Sequence, residues 1–177
     1  MPGRRDISSA SPLQLYLDQN YLSGIAKGKP AFRDFAPVLR SAVAARVVSV
    51  VESSVHERES APRPDLGLLE LLRALSRGRR LPATPDRASA DARRRMQWTI
   101  DNEFPERRAR GSDTADLDAL GIALVHCDLV TCDAFMADVI RRARLDLRHR
   151  CELFSGRRGD VLRLCERLRE LSEQGSS

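Results

Sequence analysis

Short apolar runs that end in polar or acidic residues, with helically spaced segments between them, constrain this chain more than any other feature. Residues 13–17 (LQLYL) form such a run and stop at Asp18, and residues 46–51 form a second. Their length and polar borders favour buried strands. Between them, residues 30–45 carry Phe32, Phe35, Val38, Leu39, Ala42 and Val43 at helical spacing, with Pro30 suited to a first helical turn. The result is a β-α-β unit. A third strand is predicted at residues 128–131 (DLVT), after a helix over 113–125 and before one over 134–144. A weaker fourth strand falls at 151–154, and a closing helix at 160–171. Strands that alternate with helices imply an α/β fold with a mostly parallel sheet covered on both faces, because a parallel crossover needs a segment that packs back over the sheet.

Length and composition suit one globular domain. The chain has 177 residues, 42% hydrophobic and 31% charged, enough to bury a core and outside the disordered range. Residues 1–12 and 174–177 read as untethered tails around a single domain at 13–173. Residues 65–110 break the alternation with two predicted helices, 65–76 and 86–103, and read as a helical insertion or cap. The start of the chain lacks a secretion signal, and no apolar stretch is long enough to span a bilayer. The expected location is therefore the cytoplasm, where Cys127, Cys132, Cys151 and Cys165 are expected as buried thiols.

The formal charge is +5, and of 30 cationic residues only Lys27 and Lys29 are lysines. Residues 73–110 hold eleven arginines against five acids, a balance that suits a phosphate backbone. A solvated helical face explains the same run equally well. Arg93, Arg94 and Arg95 are its densest point and the candidate RNA contacts. Trp98, inside the same helix, is expected in the core, with base stacking as the lesser reading.

The chemistry lies in the acids. In parallel sheets ligand groups gather beyond the carboxyl ends of the strands, where Asp18 and Asp133 both fall. Asp116, early in the helix before the third strand, and Glu59, after the second strand, can complete a set of four. Carboxylates about 4 Å apart repel by about 4 kcal/mol per pair at an effective dielectric near 20. Protons or a hard cation must relieve that repulsion, and Mg²⁺ or Mn²⁺ favours such oxygen donors. No Gly-x-x-x-x-Gly-Lys-Ser/Thr loop points to a nucleotide hydrolase instead.

Three blocks carry a family likeness: LYLDQNYLSGIAK at 15–27, SSVHERE at 53–59, and DTADLDALGIAL at 113–124 running into CDLVTCD at 127–133. In these the chain resembles the PIN-like nucleases. The resemblance implies a three-layer α/β/α sandwich, a divalent-metal site built from Asp18, Glu59, Asp116 and Asp133, and endonucleolytic cleavage of RNA. It makes Asn20 the polar companion of the first ligand, and it selects Ser53 and His56 along with Glu59 by a Ser-x-x-His-x-x-Glu spacing. Glu52 or Glu57 is the alternative to Glu59, and Asp113 or Asp118 the alternative to Asp116. His56 reads more readily as a satisfied structural group than as a substrate contact. Many relatives are toxins restrained by an antitoxin protein, so the implied partners are RNA, an antitoxin and a second copy of the chain, with no membrane. The competing readings are a noncatalytic PIN-like scaffold that binds RNA or protein, and a small metal-dependent phosphatase or unrelated α/β binding protein.

Overall fold

The computed structural model describes residues 11–60 and 67–175, excepting the side chains of Glu59 and Ser60. Four strands, β1 (Leu13–Tyr16), β2 (Val48–Val51), β3 (Leu129–Cys132) and β4 (Glu152–Ser155), form one sheet in the order β2-β1-β3-β4. All three pairings are parallel, with Leu15 opposite both Val50 and Leu129. The chain moves from β1 out to β2, then crosses back to add β3 on the other side of β1. The order therefore reverses beside β1, where such sheets open a crevice beyond their carboxyl ends.

Helices cover both faces, as the alternation predicts. On one face, α1 (Gln19–Ala26), α2 (Phe35–Ala44), α4 (Leu68–Ser76) and α9 (Arg158–Gly175) share a core with Leu15, Leu17, Val50 and Leu129. On the other, α5 (Arg87–Glu103), α6 (Asp113–His126), α7 (Ala134–Arg142) and the short α8 (Leu145–His149) pack on Tyr16, Val51, Val130 and Leu153. Adjacent residues of one strand enter opposite cores because side chains alternate across a sheet. The remaining helix, α3 (Ser54–Ser60), follows β2 and packs between α1, α4 and α6.

Several details depart from the expected pattern. Residues 30–45 form a 3₁₀ turn (Pro30–Phe32) followed by α2, with Phe32, Tyr21 and Phe35 in edge-on aromatic contact. The middle segment is not a separate cap: α4 belongs to one helical layer and α5 to the other. Between those helices, Glu52 pairs with Arg80, its backbone N–H donating to Arg79 O at 2.9 Å and its carbonyl accepting from Leu81 N at 2.8 Å. Close approach of α5 to α6 requires Gly121, where a Cβ would lie 2.9 Å from Ser89 O. Of the tails, residues 1–10 and 176–177 lie outside the described residues, and α9 continues through Gly175. Among the described residues no helix is long and apolar enough to cross a membrane, and all four cysteines are buried thiols.

Candidate active site

Asp18 and Asp133 occupy equivalent positions on neighbouring strands. Each follows its strand with extended backbone (ψ 169° and 168°) and caps the next helix. Asp18 accepts from Tyr21 N at 3.1 Å, and Asp133 accepts from Met136 N at 2.7 Å. A cap needs this geometry because the first N–H groups of a helix have no partner within it. The two helices then diverge to opposite faces of the sheet, which opens a cleft of about 380 Å³ between them.

Three carboxylates line that cleft: Asp18, Asp133 and Asp116, the last from the first turn of α6. Thr131 links the two strands, its hydroxyl accepting from Asp18 N at 2.8 Å and donating to Asp18 Oδ1 at 3.3 Å. Asn20 donates its amide to Asp18 Oδ2 at 3.3 Å and also lines the cleft. Burial, with the nearby charge of Asp133, pushes the Asp18 carboxyl up to about 6 despite its hydrogen bonds. Asp116 is likewise raised to about 6, first by burial and then by Asp133 and Asp113. Two carboxyls poised near neutrality are the electrostatic mark of acids gathered where water is scarce.

The competitors for these roles are engaged elsewhere. Asp113 is gripped by both terminal nitrogens of Arg107, at 2.6 and 2.9 Å, which holds its carboxyl below the ordinary range. Arg107 itself lies over the Phe135 ring, 3.7 Å from its centre. Asp118 pairs with Arg93 across the α5/α6 contact. Glu52 is buried, accepts from the Ser76 hydroxyl and faces Arg80 at 3.7 Å, while Glu57 pairs with Arg80 at 3.0 Å. None of these four carboxylates lines the cleft. The side chain of Glu59 lies outside the described residues.

His56 is a structural tie. Its Nδ1 accepts from Ser53 N at 3.0 Å, so the ring proton sits on Nε2, which donates to Leu17 O at 2.6 Å. Its ring stacks on Tyr16 with centroids 5.1 Å apart, and burial lowers its pKa. A neutral His56 thus fastens the start of α3 to the backbone immediately before Asp18, and Ser53 serves it as a partner.

Arg93, Arg94 and Arg95 do not reach the cleft. Arg93 is held by Asp118, Arg94 by Asp91 at 3.3 Å, and Arg95 donates to Ala143 O at 3.4 Å. Trp98 is not in the core: it is 59% exposed on the outer face of α5. A helix that buries Ala92, Met96 and Thr99 must turn position 98 outward. The arginine on the cleft is Arg110, from the loop before α6. Only its place in the basic run could have pointed to it, because a loop without periodicity gives no direction to its side chains.

No protein-family model, curated protein or solved structure matches the chain. Among the described residues, no group of three His, Cys, Asp or Glu side chains is set to hold a metal ion. The donor types still fit a hard cation. Mg²⁺ commonly takes one or two carboxylates and fills its remaining positions with water and substrate phosphate, and Asp18 and Asp133 each have one carboxylate oxygen free of the helix cap.

Proposed function

We propose that this chain is a PIN-like, Mg²⁺- or Mn²⁺-dependent endoribonuclease that works in the cleft between β1 and β3. The observation that carries the reading is the meeting of Asp18, Asp116 and Asp133, from three separate elements, at the point where strand order reverses. Burial first, and then the charge of Asp133, raises the carboxyls of Asp18 and Asp116, and a divalent cation bound there would offset both effects. Asp18, Asp116 and Asp133 would hold it, with Glu59 assigned beside them by resemblance. When bound, such an ion supplies an acidified water and a counter-charge for a phosphoryl oxygen.

The chain's own residues do the positioning. Thr131 and Asn20 orient the Asp18 carboxylate, the His56 tie steadies the strand end, and Arg110 faces an incoming phosphate from the rim. Restraint by an antitoxin belongs to the same proposal and rests on the resemblance alone. A noncatalytic RNA- or protein-binding scaffold is the second reading, favoured by the lack of a ready three-ligand group among the described residues.

The test is cleavage of labelled single-stranded RNA, structured RNA and DNA with Mg²⁺, Mn²⁺ or EDTA by wild type, Asp18→Asn and Asp116→Asn. Asparagine caps helices as well as aspartate does, so Asp18→Asn keeps the fold while removing a charge. Metal-dependent RNA cutting by wild type alone supports the nuclease. Binding without cutting supports the scaffold, and full activity in both variants refutes the assigned site.

A further inference from the structure

A second cavity adjoins the carboxylate cleft and shares Arg110 with it. We propose that this cavity is a nucleobase subsite, which accepts the base flanking the scissile phosphate and prefers a base with an exocyclic amino group. The proposal rests on the nuclease reading and names part of its substrate.

The cavity measures about 340 Å³, near the lower end of the roughly 300–1,000 Å³ typical of ligand sites. That suits a single base rather than an extended ligand. Its floor is apolar, formed by Ile100, Phe104 and Leu117, and its rim is polar. Single-stranded RNA is read in this way, by unstacked bases that bury their faces and hydrogen-bond along their edges.

The two walls differ in chemistry. On the α5 side, Gln97 donates its amide to Asp101 Oδ1 at 2.8 Å. That bond leaves Gln97 Oε1 and Asp101 Oδ2 as adjacent acceptors, neither with a hydrogen-bond partner among the described residues. Adjacent acceptors call for a donor, and a carboxylate is a natural partner for the amino group of cytosine. Uracil presents a carbonyl oxygen at the equivalent place and would meet the acceptors unfavourably.

On the opposite wall stand Arg107 and Arg110. Arg107 is committed to Asp113 and Phe135. The Arg110 guanidinium makes no hydrogen bond or ion pair among the described residues, and it borders both cavity and cleft. It can therefore grip a phosphate with two parallel hydrogen bonds while the attached base enters the cavity.

The experiment measures binding of short oligo(C), oligo(A) and oligo(U) RNAs in EDTA by fluorescence anisotropy, alongside cleavage of the same RNAs with Mn²⁺. Wild type is expected to bind oligo(C) about tenfold more tightly than oligo(U), the effect of one good base-edge contact. Asp101→Ala should equalise the two. Thr114→Trp, which fills the cavity from an exposed position on α6, should erase the preference independently. Arg110→Ala should weaken all RNAs alike and flatten their salt dependence. Equal binding of C and U by wild type, or a preference that survives both Asp101→Ala and Thr114→Trp, overturns the subsite even if cutting proceeds. A preference without cutting overturns the nuclease reading and leaves the subsite standing. No RNA binding at all overturns the subsite.

Discussion

Replacing Asp116 with asparagine should make the metal-free protein more stable at neutral pH. The folded-state carboxyl titrates at about 6, against about 3.9 for an unfolded aspartate. Folding therefore favours the protonated form. Below about pH 4 the group is protonated in both states and costs nothing. As pH rises from about 4 to 6 it ionises more readily in the unfolded chain, so stability falls and then levels off above about 6. A gap of about two units corresponds to about 3 kcal/mol. Because Asp116 opens onto the cleft and is partly solvated, about half of that, roughly 1.5 kcal/mol, is the expected cost. Asparagine matches the shape, carries no charge and can still accept from the Ser112 hydroxyl that now bonds Asp116.

Asp116→Asn should thus raise the Tm at pH 7.5 in EDTA by about 3–6 °C for a domain of this size, with no advantage at pH 4. Thermal unfolding followed by far-ultraviolet circular dichroism at several pH values makes the comparison. Added Mn²⁺ should narrow the gap by stabilising wild type more than the variant. A variant that melts at or below wild type at pH 7.5, or an advantage that persists unchanged at pH 4, would refute the reasoning.

Three further perturbations test the frame around the cleft. His56→Ala loses the bonds to Leu17 O and Ser53 N and the contact with Tyr16, at an expected cost of about 2–4 kcal/mol in urea denaturation. Because burial lowers the His56 pKa, wild-type stability should also decline as pH drops below 6.5, a decline the variant should lack; a matching decline in both would assign it to other groups. Gly24→Ala places a Cβ 2.5 Å from Phe32 Cε2, inside an aromatic cluster with little room to yield, and should cost about 1–3 kcal/mol, whereas an unchanged urea midpoint would show that the ring moves freely. Arg107→Leu leaves Asp113 without its bidentate partner; it should cost about 1–3 kcal/mol and raise the Asp116 titration seen by carboxyl NMR, and an unmoved titration would mean that Arg107 does not influence the cleft.

The strands and their terminal acids were legible because each depends on local pattern. Apolar runs of strand length locate β1 to β4 within a residue or two, and an aspartate directly after a parallel strand has few places to be except the crevice. The third acid was not legible to the same degree. Asp113, Asp116 and Asp118 fall within six residues of one another, and what separates them is Arg107 holding the first and Arg93 the last. Those partners come from a loop and from another helix, so no spacing within the motif reveals them. The same holds for Glu52 and Glu57, both drawn to Arg80. Arg93 to Arg95 were attractive as a run, but a helix distributes three consecutive side chains around its axis, and each found a different partner. Short α1, α3 and α8 carry too few turns to show a period.

Trp98 gives the molecule an optical property of practical use. It is the only tryptophan in the chain, and in the folded state its indole is already bathed in solvent. Its emission should therefore lie near that of free indole in water before unfolding begins, so the usual red shift would report little of the melting described above. The same ring adjoins Gln97 in sequence and shares α5 with the wall of the second cavity. Quenching by a small solute such as iodide would be strong in the free protein and would fall when a ligand extends over the outer face of α5, so a signal nearly blind to folding would report cover on that face.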